Sequence, residues 1–189
     1  MTDTHLDPRA PLVLDTRELG RRPGSMVESH RSVPAPADLG IEVLGVPEGA
    51  PVELDLRLEG VMEGVLVTGT ATADLVGDCV RCLEPITEQL RVTFQELFVT
   101  DDGEQTPEDD EDSGVSRMEG DLLDLEPVLR DTVVLALPFQ PLCEDDCPGL
   151  CAECGARLKD DPGHEHEAPI DPRWAGLAGL VTQHDDEDE

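Results

Sequence analysis

Aromatic residues are nearly missing from this chain of 189 residues, which has three Phe, one Trp and no Tyr. Its core therefore has to be built from Val, Leu and Ala, a thin supply that a metal staple would reinforce. Lysine is almost absent too, with Lys159 the only one. No apolar run approaches the roughly 20 residues needed to span a bilayer, so no membrane association is expected. The opening stretch MTDTHLDPRAPLVL has no basic region ahead of an apolar core, which argues against a secretion signal. Six cysteines without such a signal point to a reducing cytoplasm, where clustered thiols hold metal more often than they form disulfides.

Positive charge is the other shortage. Net charge is −31. Residues 1–36 balance, with five acids and five arginines. The remaining 153 residues hold 39 acids against eight bases. Such a field repels phosphate backbones at long range and attracts basic proteins. Only the segment around Arg17, Arg21 and Arg22 resembles a basic patch, and DNA is not an expected partner.

Four cysteines fall between Leu142 and Gly155: Cys143, Cys147, Cys151 and Cys154. The last pair has the form C-x-x-C-G. Two intervening residues let a tight turn bring both sulfurs to one ion, and the following Gly accepts the positive φ that closes the turn. Their Pro, Gly and acidic neighbours make simple core filling a poor explanation. One structural zinc on these four thiolates is the expectation, with Cys79 and Cys82 of a second C-x-x-C, and His164 and His166, as alternate ligands. A redox pair is the competing reading. Against it stands the lack of a group placed by motif to activate a thiol. Glu144, Asp145, Asp146 and Glu153 are also expected to raise the thiol pKa values and leave little thiolate. No enzyme activity is therefore expected.

The rest reads as an α+β chain. Leu12–Thr16 is a short strand and residues 32–40 are a connector. Ile41–Val46 is a short apolar strand. Val52–Leu58 alternates strictly, the period of a half-buried strand. Val65, Val67, Gly69, Ala71 and Ala73 share a face opposite Thr68, Thr70 and Thr72, as in a hairpin partner. Leu90, Val92 and Phe94 share a face that Glu96 interrupts, which suggests a bulge near Gln95. The sum is a partly barrel-like antiparallel sheet of four or five strands. Asp124 as N-cap, Pro127 in the first turn and apolar residues at i, i+3, i+4 predict a helix over 125–137, ended by Pro138. Val133-Val134-Leu135 leaves a strand there as the second choice. Asp171–Leu180 is predicted as a short helix.

The predicted organisation is a flexible 1–11, one domain over 12–181 and an acidic tail over 182–189. Within the domain come a β-rich part (12–100), a disordered acidic loop (101–120), the helix (121–139), a cysteine- and histidine-bearing metal segment (140–168) and the short helix (169–181).

Several stretches together resemble the YceD family, the large ribosomal RNA subunit accumulation proteins. They are Cys79-x-Arg81-Cys82-Leu83-x-Pro85; Leu123-Asp124-Leu125 through Leu135-Ala136-Leu137-Pro138; Pro141-Leu142-Cys143 through Cys147-x-Gly149-Leu150-Cys151-x-x-Cys154-Gly155; and Asp171-Pro172-Arg173-Trp174-x-x-Leu177. The likeness covers roughly residues 12–181. It implies a non-enzymatic part in ribosome biogenesis, supporting accumulation of large-subunit (23S) ribosomal RNA. Many relatives with the cysteine-rich segment continue into a further C-x-C where this chain has His164-Glu165-His166. Imidazole can replace thiolate on zinc. Combined with the charge, the resemblance implies contact through a basic large-subunit ribosomal protein or a pre-ribosomal particle, with ribosomal RNA reached indirectly. A thiol-based redox protein and an RNA-binding zinc module are the alternatives.

Overall fold

A computed structural model of the chain describes residues 5–20, 22–100 and 115–166. It divides into two compact units, Met1–Asp146 and Cys147–Glu189. The first holds the described regular structure: β1 (Val13–Asp15), β2 (Met26–Pro34), β3 (Leu39–Ile41), β4 (Leu44–Val46), β5 (Pro51–Gly60), β6 (Gly64–Asp78), β7 (Pro85–Val99), β8 (Leu122–Asp124) and α1 (Glu126–Ala136). The expected short helix over 169–181 and the tail lie outside the described residues, as do Arg21 and most of the acidic loop.

The scaffold is the β5–β6–β7 meander. In β5, Val52, Leu54, Leu56 and Leu58 are buried while Asp55 and Arg57 face out. In β6 the face predicted from small residues, Val65 through Ala73, is the buried one. β6 and β7 pair over their full lengths, from Gly64↔Val99 to Asp78↔Pro85, without a break in register. The bulge expected near Gln95 is therefore not there. Val92, Phe94 and Phe98 stay on one buried face, Glu96 lies half-buried between the two rings, and Leu97 points outward. Glu96 is tolerated because its carboxylate accepts a hydrogen bond from the Ser116 hydroxyl, 2.7 Å away.

The sheet has six strands and is open. Its order is β2-β5-β6-β4-β3, with β7 also on β6. Because β7 occupies one whole edge of β6, β5 and β4 must share the other. β5 pairs with residues 65–72 of β6, and β4 with Val76 and Gly77. Among the described residues, β2, β3 and β7 are left as edges, so the partly barrel-like closure expected from the sequence does not form. The stretch Ile41–Val46 is not one strand but part of the β3–β4 hairpin, turning at Glu42 and Val43. β4 can lie against β6 only because Gly77 lacks a side chain; a Cβ there would sit 2.1 Å from the Val43 carbonyl oxygen.

β2 occupies part of what the sequence reads as connector. It pairs residue by residue with β5, from Met26↔Glu59 to Pro34↔Pro51. The register matches charge as well as backbone: the His30 ring contacts Asp55 at 2.7 Å, and the Ser32 hydroxyl donates to Glu53 at 2.5 Å. Polar groups of this kind are expected on an exposed edge strand.

β1 and β8 form a separate two-stranded ribbon, Val13↔Asp124 to Asp15↔Leu122. It leads straight into α1. Asp124 accepts a hydrogen bond from the Glu126 N–H at 2.9 Å, and Leu129 and Val133 are buried. The helix packs on β7 and β3. Arg130 ties it to the loop before β3, donating to the Asp38 carbonyl at 2.6 Å and the Ala37 carbonyl at 3.0 Å. No described helix is long and apolar enough to cross a membrane.

Gly69 lies opposite Phe94 in the β6–β7 register. A Cβ at Gly69 would fall 2.3 Å from the Phe94 ring and 2.9 Å from Leu56. Gly69→Ala should therefore lower stability by about 1–3 kcal/mol, the usual penalty for overpacking. The midpoint of denaturant unfolding should fall with an unchanged slope. Adding Phe94→Leu should recover part of the loss, which a steric origin requires.

Candidate metal centres

The hairpin between β6 and β7 is the first cysteine turn. Asp78 ends one strand and Pro85 begins the next. The Cys79 N–H donates to the Glu84 carbonyl at 2.8 Å and the Leu83 N–H to the Cys79 carbonyl at 2.9 Å. Leu83 takes a positive φ of 59°. The turn Cys151–Gly155 repeats this pattern: the Gly155 N–H donates to the Cys151 carbonyl at 2.9 Å, and Gly155 has φ of 73°. The same C-x-x-C turn thus occurs twice, once with Leu and once with Gly in the left-handed position.

The first turn is joined to the segment after α1. The Val80 N–H donates to the Pro141 carbonyl at 3.0 Å, which brings Cys143 in, its sulfur 3.5 Å from that of Cys82. Sulfur atoms of Cys79, Cys82, Cys143 and Cys147 all lie within 4.8 Å of one another. Cys79, Cys82 and Cys147 are buried and Cys143 half-buried. All six cysteines are free thiols. Four thiolates about 2.3 Å from a tetrahedral zinc stand about 3.8 Å apart, so this donor set fits such an ion with little movement. Bound there, zinc would supply a crosslink with no open position for substrate.

The second group is Cys151, Cys154, His164 and His166, again with ligand atoms within 4.8 Å of one another. Cys151 and His164 are half-buried, Cys154 and His166 exposed. The structure thus divides Cys143, Cys147, Cys151 and Cys154 between two groups rather than gathering them in one. Cys79 and Cys82, and His164 and His166, complete the two sets.

The expectation that nearby acids raise the clustered thiols does not hold at Cys151, and the Cys79 thiol outside that cluster is lowered as well. Burial pushes the Cys79 thiol up. The N–H groups of Cys143, Cys82 and Arg81, with the Cys82 side chain, outweigh it and bring the thiol down to about 6. At Cys151 the N–H groups of Cys154 and Glu153 are the larger influence; despite some burial, and with help from Cys154 and His164, they also bring it to about 6. Hydrogen bonds from backbone N–H groups favour the charged thiolate and outweigh the cost of burial. Thiolate is the form that binds metal.

Within the arginine-bearing turn, Arg17 has its positive charge answered locally. Arg17 donates to Asp15 through Nε at 2.8 Å and 2.9 Å and also pairs with it through Nη2. Asp15 is held at about 2, chiefly by the hydrogen bond from the Arg17 side chain. The pair therefore remains ionised and mutually neutralised.

Little in the sequence marks which residues orient the histidines. Asp161 and Glu153 do so here, each with a carboxylate oxygen 3.5 Å from a ring Nδ1, of His164 and His166 respectively. Only the i, i+3 spacing of Asp161 and His164 could have suggested the first.

A family model described as "Large ribosomal RNA subunit accumulation protein YceD" matches residues 67–181. An uncharacterized protein of Mycobacterium tuberculosis is 47% identical over 179 residues, covering 94% of this chain and 84% of its own length. The uncharacterized protein YlbN of Bacillus subtilis is 25% identical over 138 residues, 72% of this chain and 78% of its own. A chloroplastic protein of Zea mays, named large ribosomal RNA subunit accumulation protein YCED homolog 1, is 29% identical over 129 residues, 54% of this chain and 41% of its own. No solved structure matches the chain significantly. The matched stretch contains β7, the first cysteine turn, α1 and both donor groups. With the family model covering more than half of its residues, the chain belongs to the YceD family.

Proposed function

We propose that this protein is a non-enzymatic ribosome-biogenesis factor that supports accumulation of large-subunit (23S) ribosomal RNA. Family membership supports the reading, because the family description and the Zea mays relative's name both speak of large ribosomal RNA subunit accumulation. We further propose that Cys79, Cys82, Cys143 and Cys147 hold a structural zinc ion. The burial of three of these thiols and the 3.5 Å sulfur separation support a closed site. The ion would crosslink the tip of the β6–β7 hairpin to the segment following α1.

The partner in this reading is a basic large-subunit ribosomal protein or a precursor particle presenting one. The charge of −31 supports it, as does the neutralisation of Arg17 by Asp15. A redox role draws some support from the lowered Cys79 and Cys151 thiols. Complete burial of Cys79 weighs against it, since a catalytic thiolate has to be reached by its substrate.

The test is deletion of the gene in its own organism, with mature and precursor ribosomal RNAs measured. Large-subunit RNA should fall relative to small-subunit RNA and recover on complementation. An unchanged ratio under all growth conditions, including cold, would reject the role.

A further inference from the structure

We infer that Cys151, Cys154, His164 and His166 form a second metal site, a Cys2His2 set taking zinc or a similar borderline divalent cation, and that it exchanges its ion faster than the four-thiol group. The comparison of exchange rates rests on the four-thiol site proposed above, whereas the second site is argued from its own residues. All four residues lie in one short stretch of the second unit, and the local backbone builds the site. The Cys151 N–H donates to the Ala156 carbonyl at 2.7 Å, and the Leu158 N–H to the Gly149 carbonyl at 3.1 Å, closing a small ribbon. Its turn presents both sulfurs. The chain then returns through Asp161, whose carbonyl accepts the His164 N–H at 3.1 Å.

Both imidazoles aim the same nitrogen inward. His164 Nε2 lies 3.1 Å from the Cys154 sulfur and 2.8 Å from His166 Nε2. Two nitrogens on one tetrahedral zinc stand about 3.3 Å apart, so an ion seats with the rings opening by about half an ångström. Each ring turns its other nitrogen toward a carboxylate, Asp161 for His164 and Glu153 for His166. Metal-bound histidines characteristically have such a partner, which orients the ring and makes the inward nitrogen a better donor. Two sulfurs and two nitrogens, with no oxygen among the four, select zinc over magnesium or calcium. The same carboxylates add negative charge just outside the ligands, which favours a bound cation.

The two groups differ in access. Cys154 and His166 are exposed, whereas Cys79, Cys82 and Cys147 are buried. Water and a chelator reach the second site directly, while the first must open before it releases its ion.

The test uses the full chain purified with zinc. Elemental analysis should find two zinc ions per chain. A chelator should remove one equivalent quickly and the other slowly. A His164→Ala, His166→Ala double variant should hold one zinc and lose the fast phase. Its far-UV circular dichroism should be unchanged, because neither histidine lies in a helix or strand. Cobalt reconstitution should give superposed tetrathiolate and mixed sulfur–nitrogen spectra in the parent, and the tetrathiolate spectrum alone in the variant. Zinc content unaffected by the double substitution, or a single release phase from the parent, would overturn the assignment.

Discussion

Replacing Cys79 and Cys82 together by serine is expected to remove one zinc per chain and to destabilise the first unit by an amount on the order of 2–5 kcal/mol, as removing a native disulfide crosslink does in a small domain. β6 and β7 are the two longest strands, and this turn joins them at the Asp78–Pro85 end of their ladder. In their β4-proximal half Asp74, Val76 and Asp78 of β6 are exposed, as are Thr87, Glu88 and Gln89 of β7, while Leu75 and Ile86 are buried. In the turn itself Val80 and Leu83 are exposed and the two thiols are the buried groups, so an ion held there would tie the tip. A tetrathiolate would link it to Cys143, and through the Pro141 carbonyl to the chain leaving α1. Metal binding and folding are coupled in such sites, so loss of the ligands should loosen the hairpin end first. Zinc analysis, thermal unfolding with and without chelator, and amide exchange across residues 76–88 would read the effect. Exchange should accelerate there far more than in β5. Cys151→Ser with Cys154→Ser should leave this ion and this stability in place. Retention of the full zinc content in the Cys79, Cys82 variant would refute the four-thiol assignment.

Raising salt from about 50 mM to about 300 mM is expected to weaken association with basic large-subunit proteins or precursor particles roughly tenfold or more, mainly through a slower association rate. The cause is the uneven charge, with 39 of the 44 acids beyond residue 36. Such a field steers a basic partner, and salt screens it over about 8 Å at physiological strength. Protein-free ribosomal RNA should bind weakly throughout, because acids dominate the chain and Arg17 already answers Asp15. Pull-downs and gel shifts run side by side over this salt range separate the cases. Tight binding to bare RNA without affinity for any basic ribosomal protein would favour an RNA-binding zinc module.

Local pattern was enough for the elements whose physics is local. Strict alternation from Val52 to Leu58 places β5 because one face is buried and the other solvated. The Pro in the first turn and the spacing of Leu129 and Val133 place α1 within a residue at each end. The cap position is Leu125, and the expected cap, Asp124, stands one residue ahead of it and accepts from the Glu126 N–H. The β-branched Val133-Val134 run does not convert it to a strand, since Val133 has a core to face and the Asp124 carboxylate supports the first turn. Each C-x-x-C turn is likewise local, being set by two intervening residues and a left-handed one after them.

Tertiary structure decided what depends on partners distant in the chain. β2 has only one buried residue, Val33, and its strand conformation comes from pairing with β5. The face of β7 runs through Glu96 because Ser116 arrives to satisfy the carboxylate, which no alternation rule registers. The sheet stays open because β6 outruns β5 and takes β4 on the same edge. The grouping of the cysteines follows the same logic. In the sequence Cys143, Cys147, Cys151 and Cys154 are neighbours. In space the unbroken β6–β7 register carries Cys79 and Cys82 to the chain leaving α1, while the short ribbon after Gly149 turns Cys151 and Cys154 toward two histidines. Residue types fixed which chemistry was possible, and strand register determined which residues share it.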